Sequence, residues 1–404
     1  MNAQANGHGK APQWLDSNQT KRANWALALA GFTCFFLLYG TQPILPQLTH
    51  EFGISPAMAS LSVSAGTAAM AFLLIPLSLV SDRYGRASLM RWCLFGAAVF
   101  AFGSSFAPDY FVLLLSRICL GACIAGVPAA AMAYLGEELA PELRSRAMGL
   151  YIAANALGGM SGRLIAALVT EYLSWRHGLA TLGIVGLLAA IGFLRLIPAG
   201  LHFFPQPMQL RPLYSDLRTI YADPGLPWLF WTAFLIMGAF VGLYNFLGFR
   251  LSLEPYALGP AAIGAIFLLY ALGSVSSVLA GRATTRHPRH KIMLLMSCCM
   301  AAGISMTWAS SLPIIIAGLA ILTFGFFAVH AVASGWVGHR AGQRRGLVSA
   351  LYLSSYYLGG SVIGSAAGWP WEQFHWAGVV VALLLPVLLV IAMTTLRLRR
   401  LSDS

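Results

Sequence analysis

Two arginines sit where this chain offers them no water. Arg117 and Arg163 each lie about seven residues inside a long apolar run, a position that costs on the order of 3 kcal/mol at a membrane-helix centre. Such a cation faces a partner or a cavity, where it anchors substrate or joins a proton-linked charge network, or its long stem snorkels to the interface. His330 lies in a third run, Phe326-Phe327-Ala328-Val329-His330-Ala331. A histidine changes charge near neutral pH, which suits proton coupling; a neutral packing histidine bonded to a backbone carbonyl is the alternative. Of the 13 acidic residues, none falls in the central part of an apolar run. A site for a lipophilic cation wants a buried carboxylate, whereas two arginines and a histidine favour a neutral polar or anionic substrate. Tyr39, Gln42, Asn155, Tyr244, Asn245, Tyr270 and Tyr356 either line the same cavity or hydrogen-bond between helices. Tyr39 and Tyr244 stand at related places in an internal repeat.

The elements that must position these residues follow from composition. Hydrophobic residues make up 58% and charged residues 9% of 404, too little charge to cover a soluble protein of this size. About twelve runs are long enough to span a bilayer core of roughly 30 Å. The net charge of +12 is distributed as a topology signal: with residue 1 in the cytosol, 21 of the 25 Lys and Arg fall in the inner tails and loops, against Arg176 and Arg250 outside. That asymmetry places both termini in the cytosol and removes nucleic acid as the partner of the positive charge. All six cysteines fall in predicted spans without metal-ligand company and read as small core residues.

The order along the chain is a disordered tail over 1–22, six helices over 23–197, a proline-rich cytosolic connector over 198–226, six helices over 227–397 and a short tail over 398–404. The first helix is expected near Asn24 and the last near Trp376. Leu150-Tyr151-Ile152 and Leu157-Gly158-Gly159 recur 201 residues later as Leu351-Tyr352-Leu353 and Leu358-Gly359-Gly360. A self-match at half length means two copies of one unit. The fold class is therefore an all-α polytopic membrane protein, twelve transmembrane helices in two pseudo-symmetric six-helix bundles. Parallel halves of this kind place a substrate site between them, near the midplane. Glycines a turn or two apart serve close helix packing. Arg163, by contrast, matches Gly364.

Four motifs carry a family resemblance over essentially the whole ordered chain. Ser78-Leu79-Val80-Ser81-Asp82-Arg83-Tyr84-Gly85-Arg86-Ala87 resembles the G-x-L-a-D-R-x-G-R-[KR] loop of the Major Facilitator Superfamily, departing at Ser78 and Ala87. Pro43-Ile44-Leu45-Pro46 resembles the end of helix 1 in its drug–proton antiporter branch, and Arg117 to Gly121 that branch's helix-4 motif. Gly149, Gly158 and Gly162 resemble its helix-5 antiporter motif, with Arg163 where proline is usual. With Ser355-Tyr356-Tyr357-Leu358-Gly359-Gly360-Ser361 and the stretch around His330, the chain is similar to the YnfM-type group of bacterial inner-membrane transporters.

The resemblance implies alternating access, and a latch in which Asp82, with Arg83, Gly85 and Arg86, closes the cytosolic side. Asp82 would approach the N-terminus of helix 11 near Gly346 and Leu347, where the helix dipole favours an anion, and Arg86 would pair with Glu137 or Glu138. A solvated loop obeying the charge rule is the plainer alternative. The expected function is proton-coupled efflux of a small molecule from a monomer in the inner membrane, with protons and the bilayer as partners and neither cofactor nor metal. Uptake of a small anionic or polar solute is the alternative. An enzyme finds no support, since neither H-E-x-x-H nor G-x-S-x-G occurs, and no nucleotide-binding G-x-x-x-x-G-K-[ST] loop is present.

Overall fold

The computed structural model describes residues 14–201 and 210–402, apart from the side chains of 210–213, 343 and 402. All of its regular structure is helical. The first half comprises α1 (Ser17–Leu38), α2 (Leu45–Phe52), α3 (Pro56–Tyr84), α4 (Arg86–Ser104), α5 (Tyr110–Ala125), α6 (Pro128–Glu138), α7 (Pro141–Tyr172) and α8 (Trp175–Leu196). A connector helix α9 (Leu210–Ala222) precedes the second half. That half comprises α10 (Leu226–Ser252), α11 (Pro260–Ile266), α12 (Tyr270–Ala283), α13 (Arg289–Met306), α14 (Leu312–Arg340), α15 (Arg345–Ala366), α16 (Gly368–Met393) and the terminal α17 (Arg399–Ser402). The pairs α1/α2, α5/α6 and α11/α12 are each one crossing, interrupted midway. Eleven crossings meet length and hydropathy criteria for a membrane span; α13, which opens on Arg289 and Lys291, supplies the twelfth.

Several boundaries differ from expectation. Asp16 accepts a hydrogen bond from the Gln19 backbone while the Gln19 side chain bonds back to Asp16, a reciprocal cap that starts α1 at Ser17. Residues 17–22 of the expected disordered tail are therefore helical, and 1–13 lie outside the described residues. The expected connector contains a helix, although 202–209 lie outside the described residues. The last helix begins at Gly368, and a break at His375 (φ 51°, ψ −140°) separates its first two turns from the span. Residues 399–402 are helical, and 403–404 are not described.

The break in the first crossing has a traceable cause. Pro43 has no N–H to give the Tyr39 carbonyl, so that carbonyl takes the Gln42 N–H at 3.0 Å in a tighter turn. The Leu38 carbonyl thereby loses its usual donor. Arg117 supplies one: its guanidinium donates to the carbonyls of Leu38, Leu37 (3.1 Å) and Ser62 (3.0 Å). The side chain is 1% exposed. A buried cation in α5 thus caps the C-terminal end of α1, where orphan carbonyls collect.

Packing reproduces the repeat. A Cβ at Gly158 would stand 2.1 Å from the Phe32 carbonyl oxygen, and one at Gly359 would stand 1.9 Å from that of Phe234. Helix α7 therefore lies on α1 as α15 lies on α10, with backbones closer than any side chain permits.

Side-chain hydrogen bonds join the two halves on the side away from the termini. Thr67 meets Ser361 (2.7 Å), Ser365 reaches Ser64 (2.5 Å) and Ser60 (3.2 Å), and Glu171 accepts from the Ala261 N–H (3.1 Å). Toward the terminal side, a Cβ at Gly149, Gly335, Gly338 or Gly346 would meet open space. The connector is tied to the second half. Asp223 accepts two bonds from Arg340 (3.0 Å each) and caps α10 through the Gly225 and Leu226 N–H groups, while Arg344 pairs with Asp216. Burial alone would raise the Asp223 carboxyl, but these donors outweigh it and hold it below the usual carboxylate range.

Candidate functional site

Arg163 stands where the halves meet. Helix α7 carries it one turn beyond Gly159, whose carbonyl accepts from its Nη1 at 2.7 Å, and its Nε donates to the Gln42 Oε1 at 2.7 Å. Gln42, held by the tight turn that Pro43 imposes, passes the contact on: its Nε2 donates to Asn245 Oδ1 (2.8 Å), and Asn245 Nδ2 reaches the Gly364 carbonyl (3.4 Å). The relay runs from position 163 to position 364, the two sites that the repeat makes equivalent.

Three rings surround the guanidinium. Its carbon lies 4.3 Å from the Tyr39 ring centroid and 5.0 Å from those of Phe267 and Tyr270. Phe267 and Tyr270 reach it together because Phe267–Leu269 form a 3₁₀ turn between α11 and α12, in which side chains three apart eclipse. Cation–π contact is worth about 2 kcal/mol or more when desolvated, so the rings offset part of the cost of burying the charge. Among the described residues no carboxylate pairs with Arg163, and its Nη2 makes no hydrogen bond. The Tyr39 hydroxyl is also buried without a partner. The site therefore sets a buried cation with an unpaired donor beside an unsatisfied phenol, a pairing chemically complementary to an oxygen-bearing group.

The rings continue into the second half. Tyr270 contacts Phe240 (5.4 Å between centroids), Phe240 stacks on Phe326 at 3.8 Å, and Phe326 contacts Tyr356 (6.2 Å). Tyr244 sits against Phe267 and Tyr270 and exchanges a hydrogen bond with Thr323 (2.8 Å). At the far end His330 lies 4.6 Å from Tyr356, and its Nδ1 is 3.1 Å from the Tyr352 hydroxyl. Arg163 and His330 thus terminate one aromatic cluster. Tyr39, Gln42, Tyr244, Asn245 and Tyr356 belong to it or to the relay. Asn155 does not: with its amide nitrogen donating to the Gly31 (3.3 Å) and Tyr151 (3.0 Å) carbonyls, it joins α7 to α1. Phe267, Phe240, Phe326 and Tyr352 were not singled out from the sequence. The available signal was the pair Phe267 and Tyr270 in an apolar run, at a spacing that aligns them once the turn tightens.

A family model described as Major Facilitator Superfamily matches residues 27–364. The chain belongs to that superfamily. It is 40% identical over 375 residues to the Inner membrane transport protein YnfM of Escherichia coli (strain K12), covering 92% of this chain and 90% of that one. It is 38% identical over 360 residues, 89% of each chain, to the Uncharacterized MFS-type transporter YybF of Bacillus subtilis (strain 168). Among solved structures, a bacterial homologue of the human lysosomal transporter Spinster, inward-facing and occupied, superposes with a TM-score of 0.78 at 16% identity, over 95% of this chain and 98% of that one. The protein is a multi-pass membrane transporter of the twelve-helix superfamily fold.

The superfamily loop between α3 and α4 is ordered by its own residues. Gly85 adopts φ +95°, which a side chain would strain, and turns the chain so that Arg86 opens α4. Arg86 binds Asp82 of the preceding turn and reaches Glu137 at the end of α6 through Nη2 (2.8 Å) and Nε (3.3 Å). Arg83 lies over the neighbouring Tyr84 ring. Asp82 therefore pairs within its own half, and a Cβ at Gly346, at the start of α15, would meet nothing within 4 Å. Among the described residues, Asp82 makes no hydrogen bond or ion pair to the start of α15. The other buried arginine is likewise committed, since all three nitrogens of Arg117 go to backbone carbonyls. Of the two cations, only Arg163 has a guanidinium nitrogen, Nη2, that makes no hydrogen bond among the described residues.

Proposed function

We propose that this transporter exports a small anionic or polar molecule from the cytosol in exchange for protons. The carrying observation is Arg163: buried, without a carboxylate, ringed by Tyr39, Phe267 and Tyr270, and placed where the halves meet. Its free Nη2 and the Tyr39 hydroxyl hold the substrate's oxygen-bearing group, and the aromatic cluster accommodates its apolar body. His330 exchanges the proton, with Tyr352 as its hydrogen-bonding neighbour. The basic loops support cytosolic termini; on that reading the hydrogen-bonded side is the outer one and this conformation faces inward. Closing inward access brings Asp82 toward the start of α15 and parts the outer seam, an exchange of one closed side for the other that rests on weak, reversible contacts. The antiporter-branch motifs around Pro43, Arg117 and Gly158 support efflux.

Proteoliposomes test this reading. Purified protein is screened by thermal shift against small organic carboxylates, with benzoate as the first probe, and hits are followed for uphill flux driven by an imposed pH gradient. Flux should stop when a protonophore collapses the gradient; uphill flux that continues eliminates proton coupling. An anionic ligand that stabilises Arg163→Ala as well as the parent eliminates the anchoring role.

A further inference from the structure

Away from the central site, the second half carries a polar cavity and an apolar groove that meet at one residue. The cavity, of about 490 Å³, lies at the terminal-side ends of α12, α13 and α14 and is lined by Thr284, His287, Arg289, Trp336, His339 and Arg340. The groove, of about 410 Å³, runs into the span between the same helices along Leu279, Ala283, Ile292, Leu295, Phe324 and Ala328. His287 lines both, and Lys291 stands in the groove. We propose that this joined pair is a binding site for one anionic phospholipid, the headgroup in the cavity and an acyl chain in the groove.

Charge supports the headgroup end. No acidic residue occurs between Glu254 and Glu372, while Arg282, Arg286, Arg289 and Lys291 crowd the loop between α12 and α13. Among the described residues no carboxylate pairs with Arg289 or Lys291. Asp223, which binds the lining residue Arg340, is committed to that pair and to the cap of α10. The matching loop of the first half differs, because there Asp82 and Glu137 neutralise Arg86. Basic loops alone are ordinary on the cytosolic side of a membrane protein. What distinguishes this one is the concave shape: unneutralised donors gather at the mouth of an apolar channel that opens within the span. Basic pockets between transmembrane helices at this depth suit anionic lipid headgroups. Leu279 and Leu295 are 49% and 60% exposed, so the groove is open to the lipid from which the ligand arrives. A soluble anion would use the cavity and ignore the groove; a lipid uses both.

The test is native mass spectrometry of the full chain in detergent, titrated with dioleoyl phosphatidylglycerol, with dioleoyl phosphatidylcholine, and with glycerol phosphate as a bare headgroup. One phosphatidylglycerol should bind in preference to phosphatidylcholine. Arg289→Gln with Lys291→Gln should weaken it about twenty-five-fold, at about five-fold per basic residue beside an anionic lipid. Arg146→Gln with Arg218→Gln, basic positions elsewhere on the same side, should leave it unchanged. Ala283→Trp fills the groove with no change of charge and should also weaken it, which keeps the test intact if the charge variant folds poorly. Equal binding of the two lipids overturns the proposal, as does glycerol phosphate competing as well as the lipid. Undiminished binding by a folded charge or groove variant overturns it too.

Discussion

Replacing Arg117 by methionine separates a scaffolding arginine from a substrate-binding one. The guanidinium donates to three buried carbonyls, and the Leu38 carbonyl has no alternative donor because Pro43 has shifted the turn that follows. Leaving a buried acceptor unsatisfied costs about 1–3 kcal/mol; the Ser62 carbonyl, inside α3, keeps its own helical donor, so the two stranded carbonyls at the end of α1 cost about 4 kcal/mol before relaxation. Removing a cation from the span returns on the order of 3 kcal/mol. The difference, about 1 kcal/mol, corresponds to roughly a five-fold loss in the folding equilibrium. It should appear as a lower midpoint in SDS titration or thermal unfolding of the solubilised protein. Arg117→Lys keeps the charge but lacks the planar fork that spans carbonyls of two helices, so it should fall between methionine and the parent. Any ligand that the folded Arg117→Met protein retains should bind with near-parental affinity. An Arg117→Met protein as stable as the parent, but unable to bind an anion, would refute this reasoning and return Arg117 to the substrate site.

Arg163→Ala should behave oppositely: it relieves a buried charge, keeps stability within about 1 kcal/mol of the parent, and abolishes binding of anionic ligands in the thermal-shift assay. Gly158→Ala pushes a methyl group into the Phe32 carbonyl and should cost about 1–3 kcal/mol by overpacking, read by the same unfolding titration. Gly149→Ala, facing open space in the same helix, should be silent. Thr67→Cys with Ser361→Cys, whose parent hydroxyls are 2.7 Å apart, should oxidise to a disulfide that holds the seam shut and stops transport until reduced. Undiminished flux in the fully oxidised protein would show that this seam does not open during transport. Asp223→Asn weakens a partly exposed pair with Arg340, worth no more than about 1 kcal/mol; limited proteolysis should detect earlier cleavage near α9, with little change in global unfolding.

Much of this architecture was legible because membrane spans announce themselves by hydropathy and the repeat by identical residues at one offset. Gly158 and Gly359 could be paired from sequence alone, and their backbone contacts match. The pairing of Arg86 with Glu137 was also accessible, since both lie at the same ends of neighbouring helices. What stayed hidden depends on backbone irregularity. Arg117 and Arg163 look alike in sequence, each a cation in an apolar run at similar depth. Only the tightened turn before Pro43 shows that one arginine is consumed by orphan carbonyls. Likewise Phe267 faces Arg163 only because a 3₁₀ turn aligns it with Tyr270, and helical periodicity would point the two rings about 60° apart. The expected approach of Asp82 to the start of α15 is a property of one conformer, and a sequence does not say which conformer a structure captures; here Asp82 pairs with Arg86.

The relay from Arg163 to Gly364 ties these observations to symmetry. In a two-fold repeat, equivalent positions lie on either side of the axis between the halves, so a chain of contacts joining them crosses that axis. Here the chain passes through Gln42 of the first half and Asn245 of the second. Two glycines at 163 and 364 would have left the crossing neutral and symmetric. Arginine on one side makes it polar, with a charge on the first half facing the rings of the second. Separation of the halves on the outer side must break the Gln42–Asn245 bond and draw the guanidinium away from Phe267 and Tyr270. A group that binds Arg163 therefore competes with the contacts that hold the seam together. On the proposed function, substrate binding and gate opening would act on the same atoms, which is the coupling an alternating-access transporter requires.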